Sequence, residues 1–428
     1  MKKLPLLFLT AAFVFLLNSC SLEENVSNVP QTEGLEYVSR VIPPEMAIAE
    51  LESVIENIYG GTKAGLIFSA DDLQVFGGVS TKAGDMVLPD TAVYVLNFPD
   101  ESGYAVMAAQ SCMSTPVFCV TESGALTSSD LFEALSLLES GDGAAVFDEE
   151  MFVPMMLASS AVNQYNNPVE INPEYVIIDN PVFVDYYYQT VQKIGPLLET
   201  KWYQYWPFNS YLPKNAPVGC VTIATAQILA YNEYGSTRGI DFDWDLMKTV
   251  CPYYDHSVSG LPAANQAVSD FVEILGLYDY CRIKYAEDST GTSSGNADGA
   301  KRAFEKFGYK NVRKYLGFEK ADKNRVISML NNYYPVFAAG QLGTNSGHAW
   351  VIDGLLIRNK KRFANNELLG TENLFHINWG WNGVSDGYYN QGVFDTTKRV
   401  DVDDNIDRED STNVHNYTWN YRTVTYSL

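Results

Sequence analysis

Asn373-Leu374-Phe375-His376-Ile377-Asn378-Trp379-Gly380-Trp381 reads as a β-strand. Its period of two puts His376 and Asn378 on one face and Phe375, Ile377 and Trp379 on the other. A Gly-rich turn follows, through Trp381-Asn382-Gly383-Val384-Ser385-Asp386-Gly387. Upstream, Ser346-Gly347-His348-Ala349-Trp350-Val351-Ile352-Asp353-Gly354 reads as a second strand, entered through Gly347 and carrying His348 at its start. Earlier still, Pro217-Val218-Gly219-Cys220 precedes a helical run from Val221 to Tyr231. Val221, Ala224 and Ile228 share one face of that run, and Gly235 is its expected stop. Cys220 then sits at a helix N-terminus, where the dipole favours a thiolate.

Singly, each signal has a bland reading. A structural cysteine fits a helix start, and a capped, hydrogen-bonded histidine fits a strand start. Together they supply what a cysteine hydrolase needs: a thiolate, a group that shares its proton, and donors for an oxyanion. Cys220 and His348 would provide the first two. The Cys220 N–H and the side-chain amide of Gln204, in the aromatic segment Trp202-Tyr203-Gln204-Tyr205-Trp206-Pro207-Phe208-Asn209, would provide the third.

The chain has 428 residues, 46% hydrophobic, 13% aromatic and 19% charged. That is a globular balance, with room for two or three domains at about 150 residues each. The net charge is −23, which argues against nucleic-acid partners, because phosphate contacts need clustered Lys and Arg. The acidity is lopsided. Ser21 to Glu170 holds 3 basic and 23 acidic residues, whereas Ile171 to Leu428 holds 24 and 29. The split predicts two domains of different role, although acidity also simply keeps an exported domain soluble. No repeat is visible. There is no C-x-x-C pair and there are only four His, so neither a structural zinc nor any cofactor is expected.

In the first half, Glu45 to about residue 60 has helical periodicity. Thr91–Phe98 and Tyr104–Ala109 form an expected hairpin across Asp100-Glu101-Ser102-Gly103. Pro116–Val120 reads as a third strand and Asp130–Ser140 as a helix. Asn163 to Asn172, polar and Asn-rich with a Pro, reads as an exposed linker. Near the C-terminus, Tyr417–Val424 reads as a final strand.

Met1-Lys2-Lys3 followed by the apolar run Leu4–Leu17 reads as a signal peptide, since a spanning helix needs roughly 20 residues. The run ends in Leu17-Asn18-Ser19-Cys20, which resembles a bacterial lipobox. An exported lipoprotein acylated at Cys20 is expected, tethered by about residues 21–35 to the outer membrane or cell surface of a Gram-negative bacterium. An ordinary secretory signal is the alternative. Cys112 and Cys119 could pair in that oxidising compartment or remain two buried thiols.

Several segments, in order, resemble the streptopain family of bacterial cysteine peptidases, distant papain-like proteins. They are Gln204 with Pro207-Phe208-Asn209, Gly219-Cys220-Val221 with Ala224-Thr225-Ala226-Gln227-Ile228, Ser293-Ser294-Gly295, Gly347–Gly354, and His376–Gly387. The likeness spans about residues 185–395. It implies an α+β fold, with a papain-like catalytic domain (181–428) preceded by a small α+β prodomain with its acidic tether (21–180) and the signal peptide (1–20). It implies Cys220 as nucleophile, His348 as general base and acid, and Gln204 in the oxyanion hole. Trp379 would pack beside His348 with Asn378 next to it; either of the two could orient the ring, Asn378 being the one at the papain-like position. Gly347, Ser294 and Asn296 would bind substrate, Asn296 standing where the family has a Ser. The substrates would be proteins or peptides, and the prodomain an intramolecular inhibitor removed by a cut between about residues 160 and 190. Two other readings are a Cys–His amidase of cell-wall peptides and a non-catalytic adhesion or inhibitor lipoprotein on a degenerate peptidase fold.

Overall fold

The computed structural model describes residues 41–60, 67–79, 88–140, 151–166, 186–250, 262–318, 320–342, 346–394 and 419–428. Cys20, the tether and Cys251 lie outside them, as does most of the expected linker.

The first half opens with helix α1 (Pro44–Tyr59). Ala47, Ile48, Leu51, Val54, Ile55 and Ile58 recur at three- and four-residue steps and are all buried. Strands β1 (Gln74–Phe76), β2 (Val93–Asn97), β3 (Tyr104–Ala108) and β4 (Val117–Thr121) form an antiparallel run, including the expected β2–β3 hairpin. Helix α2 (Ser128–Ser140) begins after Thr127. Thr127 Oγ1 accepts from Asp130 N while Asp130 Oδ2 accepts from Thr127 N, reciprocal bonds that stabilise a helix start by about 1 kcal/mol. Helix α3 (Phe152–Asn166) is buried from Phe152 to Gln164. This corrects the linker expectation at its N-terminal end. Asn163 and Gln164 are buried, and Gln164 Oε1 receives Thr115 N and Ser114 Oγ. The polar residues there satisfy a neighbouring loop rather than solvent.

The second half begins with β5 (Tyr186–Ile194). Helices α4 (Cys220–Asn232), α5 (Trp244–Lys248), α6 (Ala263–Gly276) and α7 (Ala297–Lys306) follow. Then come β6 (Lys310–Leu316), α8 (Lys320–Asn331), β7 (Val336–Leu342), β8 (Ser346–Arg362), β9 (Leu368–Asn378), β10 (Gly387–Asn390) and β11 (Arg422–Ser427). Helix α4 stops earlier than expected, with Glu233 in the left-handed region as its cap. Strand β8 is far longer than its sequence signal, at 17 residues. Along one side its first part pairs with β7 and its second part with β5, and along the other it pairs with β9.

One antiparallel sheet runs β1-β2-β3-β4-β10-β9-β8-β7-β11-β6 and joins the two halves where β4 meets β10. Gly387 approaches there so closely that a Cβ would overlap the backbone of Val120 and Thr121. A second junction is polar. Arg358, fully buried on β8, meets Glu372 at 2.8 Å and Glu50 of α1 at 3.2 Å, with its guanidinium 3.6 Å above the Tyr188 ring. The fold is α+β, as expected. Cys112, Cys119 and Cys281 are buried thiols outside any disulfide among the described residues, and burial pushes the thiol of Cys281 up to about 12.

The alternation of β8 and β9 sorts two cores. Trp350 and Ile352 join Phe375, Ile377 and Trp379 on the face covered by α3. Ala349 and Val351 face the helices led by α4.

Candidate active site

Cys220 is the first residue of α4 and half-buried. Gly219 before it has φ +92°, a conformation strained for any residue with a Cβ. Its carbonyl accepts from Thr222 N and Ile223 N, which starts the helix. The first N–H groups of a helix have no intrahelical acceptor, so this corner offers donors to an anion. Gln204 is buried, and its carbonyl accepts from Val218 N at 2.8 Å, tying its segment to the chain just before Cys220. The loop carrying Ser294 lies against the same corner. Position 219 would place a Cβ 3.5 Å from Ser293 O, and position 295 would place one 3.2 Å from the Val221 Cβ. Ser294 is exposed and exchanges backbone bonds with Lys284. Asn296 caps α7, its Oδ1 accepting from Gly299 N at 3.1 Å, so its side chain has a structural task of its own.

His348 opens β8, paired with Gly340 of β7. By alternation it belongs with Trp350 and Ile352, on the α3 face rather than the α4 face. Phe152, the first residue of α3, lies 5.3 Å from its ring, and Trp381 lies 4.5 Å away. His348 Nε2 is 2.8 Å from the Trp379 carbonyl. A carbonyl only accepts, so Nε2 carries the proton and Nδ1 holds the basic lone pair. Nδ1 is buried with no hydrogen-bond partner among the described residues, Cys220 Sγ included. Burial pushes the imidazole down to about 4, and the carbonyl bond only partly opposes it. Gly347 is half-buried, and a Cβ there would meet Gly340 O at 2.9 Å.

Of the two residues that could orient the His348 ring, Asn378 makes no hydrogen bond to it among the described residues and is bonded elsewhere. Its Oδ1 receives Gln227 Nε2 (2.8 Å) and Gly380 N (3.1 Å), and its Nδ2 donates to Thr200 O (2.9 Å). The amide is occupied, and the neighbouring Trp379 carbonyl does the orienting. Trp379 N donates to Asp386 Oδ1 at 2.8 Å. Burial raises the Asp386 carboxyl to about 7, against the opposing pull of that bond.

Phe152 and Asp386 were not singled out from sequence. Phe152 carries no residue-type signal for its role. Asp386 sits in the Gly-rich turn, where Asp is a common turn residue and so marks no role by type.

A second histidine sits nearby on β9. His376 Nδ1 is 2.6 Å from Asp353 Oδ1, and its Nε2 is 3.8 Å from Glu122 of the first half. Burial alone would lower this imidazole. Asp353, supported by Glu122, instead raises it to about 10.

A sequence model of the Peptidase C10 family matches residues 202–389. Streptopain of Streptococcus pyogenes serotype M28 (strain MGAS6180) is 30% identical over 203 residues, 42% of this chain and 47% of the relative. The thiol protease/hemagglutinin PrtT of Porphyromonas gingivalis is 28% identical over 234 residues, 46% of this chain and 24% of that protein. The chain thus spans about half the length, or less, of the curated relatives it matches. Among solved structures, a fragment of Prevotella intermedia prointerpain A with a cysteine-to-alanine substitution superposes with a TM-score of 0.51 at 20% identity. That match covers 82% of this chain and 97% of the other, and it shows a shared fold. The segments around Gln204, Cys220, His348 and Asn378 all fall inside the matched region, so the part of the chain that carries the candidate site is the part similar to the Peptidase C10 family and to streptopain.

Proposed function

We propose that the protein is a cysteine endopeptidase made as a zymogen, with residues 21–180 as prodomain and 181–428 as catalytic domain. One observation carries this reading. Cys220 starts α4 with the Gln204 segment tied beside it, while His348, the candidate base, lies under Phe152 of α3 with its basic nitrogen making no hydrogen bond to the thiol. In that state burial opposes protonation of His348, so the ion pair needed for attack is suppressed. Departure of α3 lets the ring bring Nδ1 to Cys220 Sγ.

The thiol proton passes to Nδ1, and the Trp379 carbonyl, still accepting from Nε2, favours the imidazolium. Sγ attacks the peptide carbonyl carbon. The oxyanion takes hydrogen bonds from the Cys220 N–H and the Gln204 amide, and Nδ1–H protonates the departing amine. Water then hydrolyses the thioester. The substrate strand lies along Gly347, Ser294 and Asn296.

The activating cut falls between Asn166 and Tyr186, because α3 ends at one and β5 begins at the other, and both elements tie up their backbone. Export with acylation at Cys20 is supported by the lipobox-like Leu17-Asn18-Ser19-Cys20.

The test compares protein from Ser21 onward with its Cys220→Ala variant under reducing conditions, following mass and casein hydrolysis, with and without added trypsin. Wild type should shed its acidic N-terminal piece and then digest casein, while Cys220→Ala stays inert by at least about 10³-fold. Equal hydrolysis by the two proteins ends the proposal.

A further inference from the structure

Helix α4 is buried almost throughout, yet it carries a fully buried amide, Gln227. Seven residues separate it from Cys220. At 3.6 residues per turn that is within about 20° of two full turns, so the two side chains leave the same face of the helix, one below the other. A buried polar side chain is tolerated where its groups are bonded, and the bonds of Gln227 all go to segments that build the site.

Gln227 Oε1 accepts from Thr200 Oγ1 at 3.0 Å and from Trp202 N at 3.1 Å. Trp202 N–H can only donate, which fixes that atom as the oxygen and the other as the nitrogen. Nε2 donates to Asn378 Oδ1 at 2.8 Å. The Asn378 amide is fixed in the same way, because Oδ1 also faces the Gly380 N–H. Its Nδ2 returns to Thr200 O and closes a ring of Gln227, Thr200 and Asn378. Trp202 lies two residues before Gln204. The Gly380 N–H belongs to the same peptide group as the Trp379 carbonyl that receives His348 Nε2. One amide therefore ties together the nucleophile's helix, the segment of the oxyanion donor, and the peptide that orients the base.

We propose that Gln227 is the positioning residue of this site: it sets the register of Cys220, Gln204 and the Trp379–Gly380 peptide without touching substrate. This role rests on the peptidase reading above. Both donor and acceptor faces of the amide are needed. The oxygen holds the 200–202 segment, and the nitrogen holds Asn378 and through it the Gly380 N–H. A side chain that kept only one face would leave the other segment free to drift, and an ångström of misplacement in such a site costs about 10²-fold in rate.

The test uses the full chain, processed by itself or by added trypsin, as wild type, Gln227→Glu and Thr200→Val. Gln227→Glu keeps the shape and the oxygen facing Trp202 but turns a second oxygen toward Asn378 Oδ1. Thr200→Val removes one bond to Oε1 and keeps the volume, so it serves if the first variant folds poorly. Active sites are counted by iodoacetamide labelling of Cys220, read by mass, and kcat and KM are measured per labelled site from pH 5 to pH 8. Gln227→Glu should lose about 10- to 100-fold in kcat at pH 8 with KM within about twofold. The loss should shrink toward pH 5, where a protonated carboxyl can again donate to Asn378. Thr200→Val should lose about threefold to tenfold at all pH values.

A residue that merely supports the fold would reduce the number of labelled sites and leave kcat per site unchanged. Both variants within twofold of wild type per site would overturn the role. If wild type labels at Cys220 yet hydrolyses nothing, the peptidase reading fails. The pH dependence of the labelling rate then decides separately: a displaced profile in Gln227→Glu upholds the role, and an unchanged one overturns it.

Discussion

His348 and His376 stand on neighbouring strands, both buried, and are driven in opposite directions. His348 is walled by Phe152, Trp381 and Trp379 and, among the described residues, hydrogen-bonds a carbonyl and no carboxylate, so burial wins and it is held neutral, down to about 4. His376 is just as enclosed, but Asp353 at 2.6 Å outweighs burial and holds it charged, up to about 10. What decides the charge of a buried imidazole is whether a carboxylate shares the burial. The first keeps a lone pair in reserve for chemistry. The second spends its charge on holding the sheet together, and through Glu122 it holds the two halves together as well.

The comparison breaks most visibly at Asp353. Asp353→Asn removes the carboxylate and should lower stability by about 3 to 5 kcal/mol, the usual loss when one member of a buried pair is removed, read by urea unfolding at pH 7. Phe152→Ala acts on the other histidine. It should cost about 3 kcal/mol in the same assay. It should also raise His348 toward its ordinary value, visible in the imidazole NMR shifts of the full chain with Cys220→Ala in place.

The smallest of these effects is the pH dependence. The folded value of His376 lies above its unfolded value of 6.5. Its stabilisation is therefore complete below about pH 6.5 and is lost as pH rises toward 10. Between pH 7 and 9 stability should fall by up to about 1.4 kcal/mol per pH unit, and Asp353→Asn should flatten that slope. A wild-type curve that is flat across this window would show that His376 is not held charged.

Much of this was legible in the sequence. The alternation of Phe375, Ile377 and Trp379 against His376 and Asn378 gave β9 its two faces, and Gly219-Cys220 marked the start of α4. What escaped depended on partners distant in the chain. Asn163 and Gln164 looked like a linker because nothing local reveals that Ser114 and Thr115 would come to bond Gln164. The orientation of His348 escaped because its partner is a backbone carbonyl, a group every residue has. The join of β4 to β10 escaped because strand pairing over such a separation leaves no local pattern in either segment.

That join has a consequence for the second half if the proposed cut releases it. In the intact chain β10 lies inside the sheet, paired on both sides, with Gly387, Tyr388 and Tyr389 opposite Thr121, Val120 and Cys119. Removing the first half makes β10 an edge strand, its outward N–H and C=O groups open to any extended chain that passes. The strand is four residues long. On the proposed activation, its brevity would then guard the catalytic half against sheet-to-sheet association, a duty that β4 performs in the intact chain.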